Sequence, residues 1–173
     1  MKRDEAGDRH ALTPVALRDA LSRMASSVAV LTAGEPGRVR GVTLTSFVGL
    51  SLSPALAAFA CHSGSRMLST LAPAALVGIT VLARDQEDIA RLCAAPDRGA
   101  LAESALVRDA GIPFIAGGIA RFGLRPVSRE LAGDHTLVVC EVLDAVAYDA
   151  SPLIYHHRHY GSLASPWPQG AVR

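Results

Sequence analysis

The sequence predicts a mainly antiparallel β domain with a few peripheral helices, built as a barrel or a sandwich. Most apolar residues fall in short runs that alternate with polar ones, which is typical of half-buried strands. Turn residues recur about every 8–12 residues, and long helical stretches between the strands, as in parallel βαβ units, are not apparent. The 173 residues and the 50% hydrophobic content suit one such domain.

The charge distribution excludes several classes of protein. The 17 Lys and Arg residues nearly balance the 16 Asp and Glu residues, and no basic arm or patch indicates nucleic-acid binding. Between Arg40 and Arg66 there is no Asp, Glu, Lys or Arg, and a run of that length is long enough to span a bilayer. It contains Pro54 and many Ser and Thr residues in alternation with apolar ones, so we predict strands and no membrane span.

The chain ends and the cysteines give further expectations. Residues 1–11 are charged and contain no apolar segment, so we expect a flexible leader and no secretion signal. Residues 12–163 are expected to form the domain and residues 164–173 an irregular tail. The three cysteines are odd in number and widely spaced, which favours free thiols in a reducing cytoplasm.

The first elements are a helix and a β-hairpin. Thr13-Pro14 is a helix start signal, and apolar residues at spacings of three and four continue the pattern through Met24. Residues 28–31 predict a strand and residues 34–37 have the composition of a tight turn. A second strand is expected to begin at Val39.

The remaining elements follow from apolar runs bounded by turn residues. We place strands at residues 42–45, 48–53, 56–60, 74–82, 112–120, 122–127, 136–147 and 151–155. A short helix is predicted over 65–71, and a second one, capped by Asp85, runs through Cys93. Residues 95–111 are mixed in composition and receive no assignment.

The first candidate binding segment is Gly41-Val42-Thr43-Leu44-Thr45-Ser46-Phe47. Its small hydroxyl residues leave one face of a strand flat and polar, so that backbone groups can approach a planar ligand. An ordinary Thr-rich strand is the alternative interpretation.

The second candidate is His62-Ser63-Gly64-Ser65-Arg66, between a predicted strand and a predicted helix. Backbone N–H groups in such a turn suit a phosphate, and Arg66 adds a charged donor. Simple capping of the helix by Ser63 or Ser65 is the alternative.

The third candidate is His135, which follows Gly133-Asp134 at the start of a predicted strand. Its imidazole suits contact with a ligand or titration near neutrality. A hydrogen bond within its own turn explains the residue equally well.

The fourth candidate is the segment 155–161, which contains His156, His157 and His159. Clustered imidazoles suggest a metal. No carboxylate lies nearby at ligand spacing, and adjacent histidines of an extended segment point to opposite faces, so we expect no metal site.

Taken in order, these segments resemble the flavin reductase family, the small reductase partners of two-component flavin monooxygenases, which have the FMN-binding split-barrel fold. The resemblance covers about residues 15–163. Its most specific part is Ala132-Gly133-Asp134-His135-Thr136, which leads into residues 138–142. The other matching segments are 26–32, 41–47, 51–54, 65–68, 152–156 and 160–161.

The resemblance implies a split-barrel homodimer with the flavin near the subunit interface. It places the flavin ring along Thr43, Leu44, Thr45, Ser46 and Phe47. It places the ribityl chain and the phosphate at the loop formed by Cys61, His62, Ser63, Gly64, Ser65 and Arg66. It places His135 beside the nicotinamide ring, and Tyr160 in the C-terminal segment that closes the pocket.

Four positions depart from the family's usual pattern. Met67 stands where Thr is common, Gly99 where an aromatic residue is typical, Cys140 where Gly is common, and His157 where Arg often follows the histidine. We expect these changes to affect the binding of flavin and the preference between nicotinamide substrates.

The expected function is therefore an NAD(P)H-dependent flavin reductase that acts in the cytoplasm. It is expected to transfer hydride from a nicotinamide, NADH in preference to NADPH, to FAD or FMN, and to release the reduced flavin to a separate monooxygenase. His135 is expected to orient the nicotinamide. The alternatives are a flavin-binding module without turnover, a flavin-dependent oxidase of the pyridoxamine-phosphate type, and a metal-binding β-barrel that uses the histidines of segment 155–161.

Overall fold

The computed structural model describes residues 12–71, 75–95 and 100–163. The predicted leader and tail, residues 1–11 and 164–173, lie outside these ranges, as does Gly99. Within them every strand pairing is antiparallel, which confirms the predicted fold class. No helix in these ranges is long and apolar enough to cross a membrane.

Short helices and strands alternate along the described chain. The helices are α1 (Pro14–Ser22), α2 (Arg66–Thr70) and α3 (Glu87–Ala94), with a 3₁₀ turn at Glu103–Ala105. The strands are β1 (Ser26–Ser27), β2 (Ala29–Ala33), β3 (Arg40–Leu44), β4 (Val48–Leu52), β5 (Ala55–His62), β6 (Val77–Val81), β7 (Leu106–Asp109), β8 (Ile112–Ile115), β9 (Ala120–Ala132), β10 (His135–Ala147), β11 (Ile154–His156) and β12 (His159–Gly161).

Seven strands form the main sheet, in the order β3-β2-β6-β9-β10-β5-β4. Strand β2 shows how the sheet separates two apolar clusters, because its five residues are all buried. Leu31 packs in one cluster with Phe59, Ile79 and Leu124, whereas Val30 faces a second cluster beneath α3. Burial on both faces explains the nearly continuous apolar sequence of this strand.

Helix α1 begins at the predicted position. The Thr13 hydroxyl accepts a hydrogen bond from the Ala16 N–H at 3.1 Å, and Pro14 occupies the first turn. The helix ends at Ser22, however, so Met24 lies beyond it. No residue of α1 is buried by the described part of the chain.

The predicted cap of α3 is wrong. The residue that precedes Glu87–Ala94 is Gln86, not Asp85, and its side chain makes no capping hydrogen bond. Instead, the Gln86 amide accepts a hydrogen bond from the Ala83 N–H at 2.9 Å and donates one to the Ala116 carbonyl at 2.6 Å. The start of α3 is therefore fixed by tertiary contacts that the local sequence does not reveal.

The predicted strand 112–120 is divided in two. Strand β8 pairs with β7 through Ile115, whereas β9 starts at Ala120 and pairs with β6. The strand is interrupted because its first part pairs with β7 and its second part pairs with β6, and a single straight strand cannot pair with both in this way. Strand β9 in turn continues to Ala132, well beyond the predicted end at Val127.

All three cysteines are buried thiols outside any disulfide. Burial raises the pKa of the Cys140 thiol to about 12. Because the thiolate is the reactive form, Cys140 is an inert core residue at neutral pH.

Candidate active site

A cavity of about 590 Å³ opens between strand β3, strand β5 and the ends of α2 and α3. Its volume is within the range of sites for small molecules and cofactors. The lining residues are Arg40, Gly41, Val42, Thr43, Leu44, Thr45, Ser46, Ala60, Cys61, His62, Gly64, Ser65, Arg66, Met67, Cys93, Ala94 and His135.

Strand β3 forms one wall of the cavity and is an edge strand, since it pairs with β2 alone in the main sheet. An edge strand leaves backbone N–H and C=O groups without a neighbouring strand. Gly41 allows α3 to approach β3, because a Cβ at Gly41 would lie 2.7 Å from the Cys93 sulfur. The wall therefore suits a flat ligand that is held by backbone groups.

Two hydroxyl groups of the first candidate segment are used to build the site. The Thr43 hydroxyl donates to the Ala90 carbonyl of α3 at 2.7 Å. The Ser46 hydroxyl donates to the Ala60 carbonyl at 3.0 Å and accepts from the Ala60 N–H at 3.1 Å. The first bond fixes β3 against α3, and the other two fix the segment after β3 against β5, so both residues shape the cavity through structural contacts.

The loop that follows β5 is held in a tight turn. The Gly64 N–H donates to His62 Nδ1 at 3.1 Å, and the Ser65 N–H donates to the His62 carbonyl at 2.8 Å. The Ser65 hydroxyl accepts a hydrogen bond from the Met67 N–H at 3.3 Å, which is the helix cap considered as an alternative. Arg66 follows at the start of α2, exposed at the cavity.

His135 is the first residue of β10 and lines the cavity directly after the two-residue turn between β9 and β10. Gly133 has a φ of +65°, a conformation that side chains rarely adopt, and it permits the tight turn. The Asp134 carboxylate lies 2.6 Å from His135 Nδ1. The hydrogen bond from His135, together with its charge, lowers the pKa of Asp134 below its ordinary value.

The electrostatic character of the cavity is positive. Arg40 and Arg66 both line it, and among the described residues no Asp or Glu does so. Arginine side chains bind phosphate through charge-assisted hydrogen bonds. The cavity therefore favours a ligand with an anionic group.

The structure brings together most of the predicted site residues. Those that line the cavity are Thr43, Leu44, Thr45, Ser46, Cys61, His62, Ser65, Arg66 and His135. Three others, Phe47, Ser63 and Tyr160, lie outside the lining. The Phe47 ring packs 5.1 Å from that of Phe122, and the Ser63 hydroxyl is 3.2 Å from the Thr136 hydroxyl. Tyr160 packs on Tyr155 at 5.1 Å, with the Arg91 guanidinium 5.0 Å from its ring centre.

Several lining residues were not predicted. Arg40 and Arg66 flank the charge-free segment at its two ends, and this shared position could have identified Arg40 as a lining residue. Cys93 and Ala94 come from α3, and nothing in their sequence neighbourhood indicates a place at the cavity. Met67, noted for its departure from the family pattern, lines the cavity and is buried.

Two other departures lie away from the cavity lining. Cys140 is in the core cluster between the sheet strands. His157 has a φ of 52° in the turn between β11 and β12, and its N–H donates to the Ser22 carbonyl at the end of α1. Among the residues that the structure describes, no group of three or more His, Cys, Asp or Glu residues is arranged to hold a metal.

Comparison with known proteins identifies the family. The model of the flavin reductase like domain matches residues 21–164. The chain belongs to the flavin reductase-like family. An NADH-dependent flavin reductase of a Rhodococcus species is 32% identical over 167 residues, 90% of this chain and 93% of that protein.

Another flavin reductase-like relative is the reductase component of 4-hydroxyphenylacetate 3-monooxygenase from Thermus thermophilus. It is 32% identical over 155 residues, 88% of this chain and 97% of that protein. Among solved structures, the NADH:FAD oxidoreductase SgcE6 of Streptomyces globisporus, in complex with NAD and FAD fragments, aligns with a TM-score of 0.82 and 25% identity. That alignment covers 94% of this chain and 99% of the other, and it confirms the predicted fold class.

Proposed function

We propose that this protein is an NADH-dependent flavin reductase. The observation that carries the proposal is the cavity beside β3, which is lined by backbone and small residues together with His135, Arg40 and Arg66. The reaction moves a hydride from C4 of the nicotinamide to N5 of FMN or FAD, so that NADH is oxidised and the flavin, with a proton from solvent, is reduced.

The residues of the cavity fit a flavin. The edge of β3 is accessible to a flat ring, since β3 pairs with β2 alone among the described strands. The buried residues Leu44, Cys61 and Met67 give the cavity an apolar floor. We place the flavin phosphate near Arg66, where a charged donor faces a cavity without lining carboxylates.

In this proposal the protein promotes the reaction mainly by positioning the two reacting rings, and proton transfer by its side chains is secondary. The hydride must pass between atoms about 3–3.5 Å apart in aligned rings. Asp134 holds His135 in one orientation, and Thr43 and Ser46 hold the opposite wall in place. We assign to His135 the role of orienting the nicotinamide.

An anaerobic assay tests the reaction. Purified protein is mixed with NADH and an excess of FMN, and in a second series FAD, while nicotinamide absorbance is followed. We expect flavin-dependent loss of NADH, slower with NADPH. A protein that binds flavin but leaves NADH unchanged would be a flavin-binding module, and the reductase proposal would be rejected. Oxygen consumption with an amine substrate in the absence of NADH would favour the oxidase alternative.

We further propose that the protein is a homodimer and that it supplies reduced flavin to a separate monooxygenase in the cytoplasm. The relative from Thermus thermophilus carries the name of such a reductase component. Support for the dimer comes from β4, an edge strand on which Leu52 is 97% exposed and Val48 and Leu50 are about half exposed. Exposed apolar edges of this kind are usually covered by another chain.

Replacing Leu52 with aspartate tests the dimer. A charge in an apolar interface is expected to weaken association by at least about tenfold, which sedimentation velocity measures as a shift toward monomer. Val107→Asp is the matched control, since Val107 is also exposed but lies on β7, outside the main sheet. Identical sedimentation of the wild type and both variants would exclude β4 from the interface.

Cell fractionation tests the proposed location. Activity found outside the soluble cytoplasmic fraction would contradict it.

A further inference from the structure

His62 and His135 form a pair of imidazoles at the rim of the cavity. They are directly opposite each other in the antiparallel pairing of β5 and β10. Their ring centroids are 5.7 Å apart with planes at 78°, and both rings line the cavity. Any group that enters between the wall of β3 and this rim meets the two side chains together.

The hydrogen bond at His62 Nδ1 determines which of its nitrogens carries hydrogen. The Gly64 N–H donates to Nδ1 at 3.1 Å, so Nδ1 is an acceptor and has no hydrogen of its own. In a neutral imidazole the hydrogen then resides on Nε2. His62 therefore presents a hydrogen-bond donor from the ring atom that its own loop does not use.

The bond at His135 has the opposite effect. Asp134 Oδ1 lies 2.6 Å from His135 Nδ1, and the lowered pKa of Asp134 keeps this carboxylate ionised and able only to accept. Nδ1 therefore carries the hydrogen, and Nε2 of the neutral ring is an acceptor. The two neighbouring rings thus present one donor and one acceptor.

A primary carboxamide has the complementary pattern, since its oxygen accepts and its NH₂ group donates. Hydrogen bonds of about 2.9 Å that diverge from its oxygen and its nitrogen can reach two neighbouring rings, and the two imidazoles are neighbours, with centroids 5.7 Å apart. We propose that His62 is a specificity-determining residue, which donates to the carboxamide oxygen of the nicotinamide while His135 accepts from its NH₂ group. The inference rests on the proposed reductase function. It assigns His62 to binding of the nicotinamide substrate, in place of the flavin phosphate that the family resemblance implies.

The position of the two histidines favours the nicotinamide over the flavin, whose imide edge also carries a donor beside an acceptor. His62 is exposed and His135 is about half exposed, whereas the apolar floor of the cavity is buried. Because the flavin is placed against β3 and the buried floor, the nicotinamide that stacks on it is expected at the exposed rim. A measurement of both affinities separates the two assignments.

The test uses two substitutions that differ in reach. Asparagine in His62→Asn can still accept from the Gly64 N–H but has no group at the position of Nε2, whereas glutamine in His62→Gln extends far enough to restore a donor there. Calorimetry on FMN-saturated protein measures binding of NAD⁺, and of the analogue with an acetyl group in place of the carboxamide, without turnover. His156→Asn changes an exposed residue of β11 outside the cavity lining and is the control.

We expect His62→Asn to weaken NAD⁺ binding about fivefold, the effect of one hydrogen bond, and His62→Gln to recover part of that loss. The acetyl analogue retains the oxygen and lacks the NH₂ group. It should therefore bind the wild type about fivefold more weakly than NAD⁺ does, and His62→Asn should add its own loss to that penalty. FMN affinity and the control variant should match the wild type.

The tautomers are also open to direct measurement. Nitrogen NMR of the labelled protein should show hydrogen on Nε2 of His62 and on Nδ1 of His135. Unchanged NAD⁺ binding in His62→Asn, a loss of FMN affinity in its place, or hydrogen on Nδ1 of His62 would each overturn the inference. If the wild type oxidises NADH in any of these cases, the reductase function stands and only the role of His62 falls; if it does not, the reductase function itself is lost.

Discussion

Replacing His135 with alanine is expected to lower kcat/KM for NADH by about 50-fold and to change the dissociation constant of FMN by less than about threefold. The imidazole is fixed by Asp134 at 2.6 Å and stands at the cavity rim, beside the proposed nicotinamide position. Without the imidazole the nicotinamide ring is no longer held in place. A displacement of the reacting atoms by about 1 Å lowers the rate of hydride transfer by about 100-fold. Anaerobic steady-state kinetics and fluorescence titration of FMN measure the two quantities.

The control for this prediction is His156→Ala, which removes an exposed imidazole from β11. It should leave both quantities unchanged. Equal losses of NADH turnover and FMN affinity in His135→Ala would show that His135 supports the cavity as a whole. A loss confined to FMN binding would place the flavin, and not the nicotinamide, against this residue.

Local patterns in the sequence were sufficient for most of the fold. Thr13 and Pro14 set the start of α1, and alternation along 48–53 located β4, because capping and strand alternation depend on neighbours in sequence. The start of α3 and the break before Ala120 were missed. Both depend on pairing with residues far along the chain: Gln86 with Ala116 in the first case, and β6 with β9 in the second.

The candidate site shows the same division. His135 and Arg66 were identified from residue type and local motif, and both line the cavity. The proximity of His62 to His135 was not visible, because it arises from the register of β5 against β10. Thr43 was identified as part of the binding segment, but the partner of its hydroxyl was not: it donates to the Ala90 carbonyl, a contact that exists only once α3 has packed on β3.

Replacing Gly78 with alanine is expected to lower the free energy of unfolding by about 3 kcal/mol or more. Gly78 lies in β6, between β2 and β9, with no free space beside it. A Cβ there would lie 2.8 Å from the Thr32 hydroxyl oxygen, 2.9 Å from Phe114 Cδ1 and closer still to the Pro113 carbonyl oxygen. Chemical denaturation followed by circular dichroism measures the change.

The reason for so large an effect is that the neighbours of Gly78 cannot move independently. The buried Thr32 hydroxyl is within hydrogen-bonding distance of the carbonyls of both Gly78 and Pro113, so it ties β8 to the sheet. Displacing Pro113 would break that bond in a buried setting, where an unpaired polar group costs about 1–3 kcal/mol more.

Gly49→Ala is the matched control, because nothing lies within 4 Å of a Cβ at Gly49 in β4. It should change stability by less than about 1 kcal/mol. Thr32 also pairs with Gly41 across β2 and β3, so a shift at Gly78 reaches the cavity wall after a single strand. Gly78→Ala should therefore weaken FMN binding even in the molecules that remain folded. Unchanged FMN affinity in a destabilised variant would show that β2 absorbs the displacement before it reaches the site.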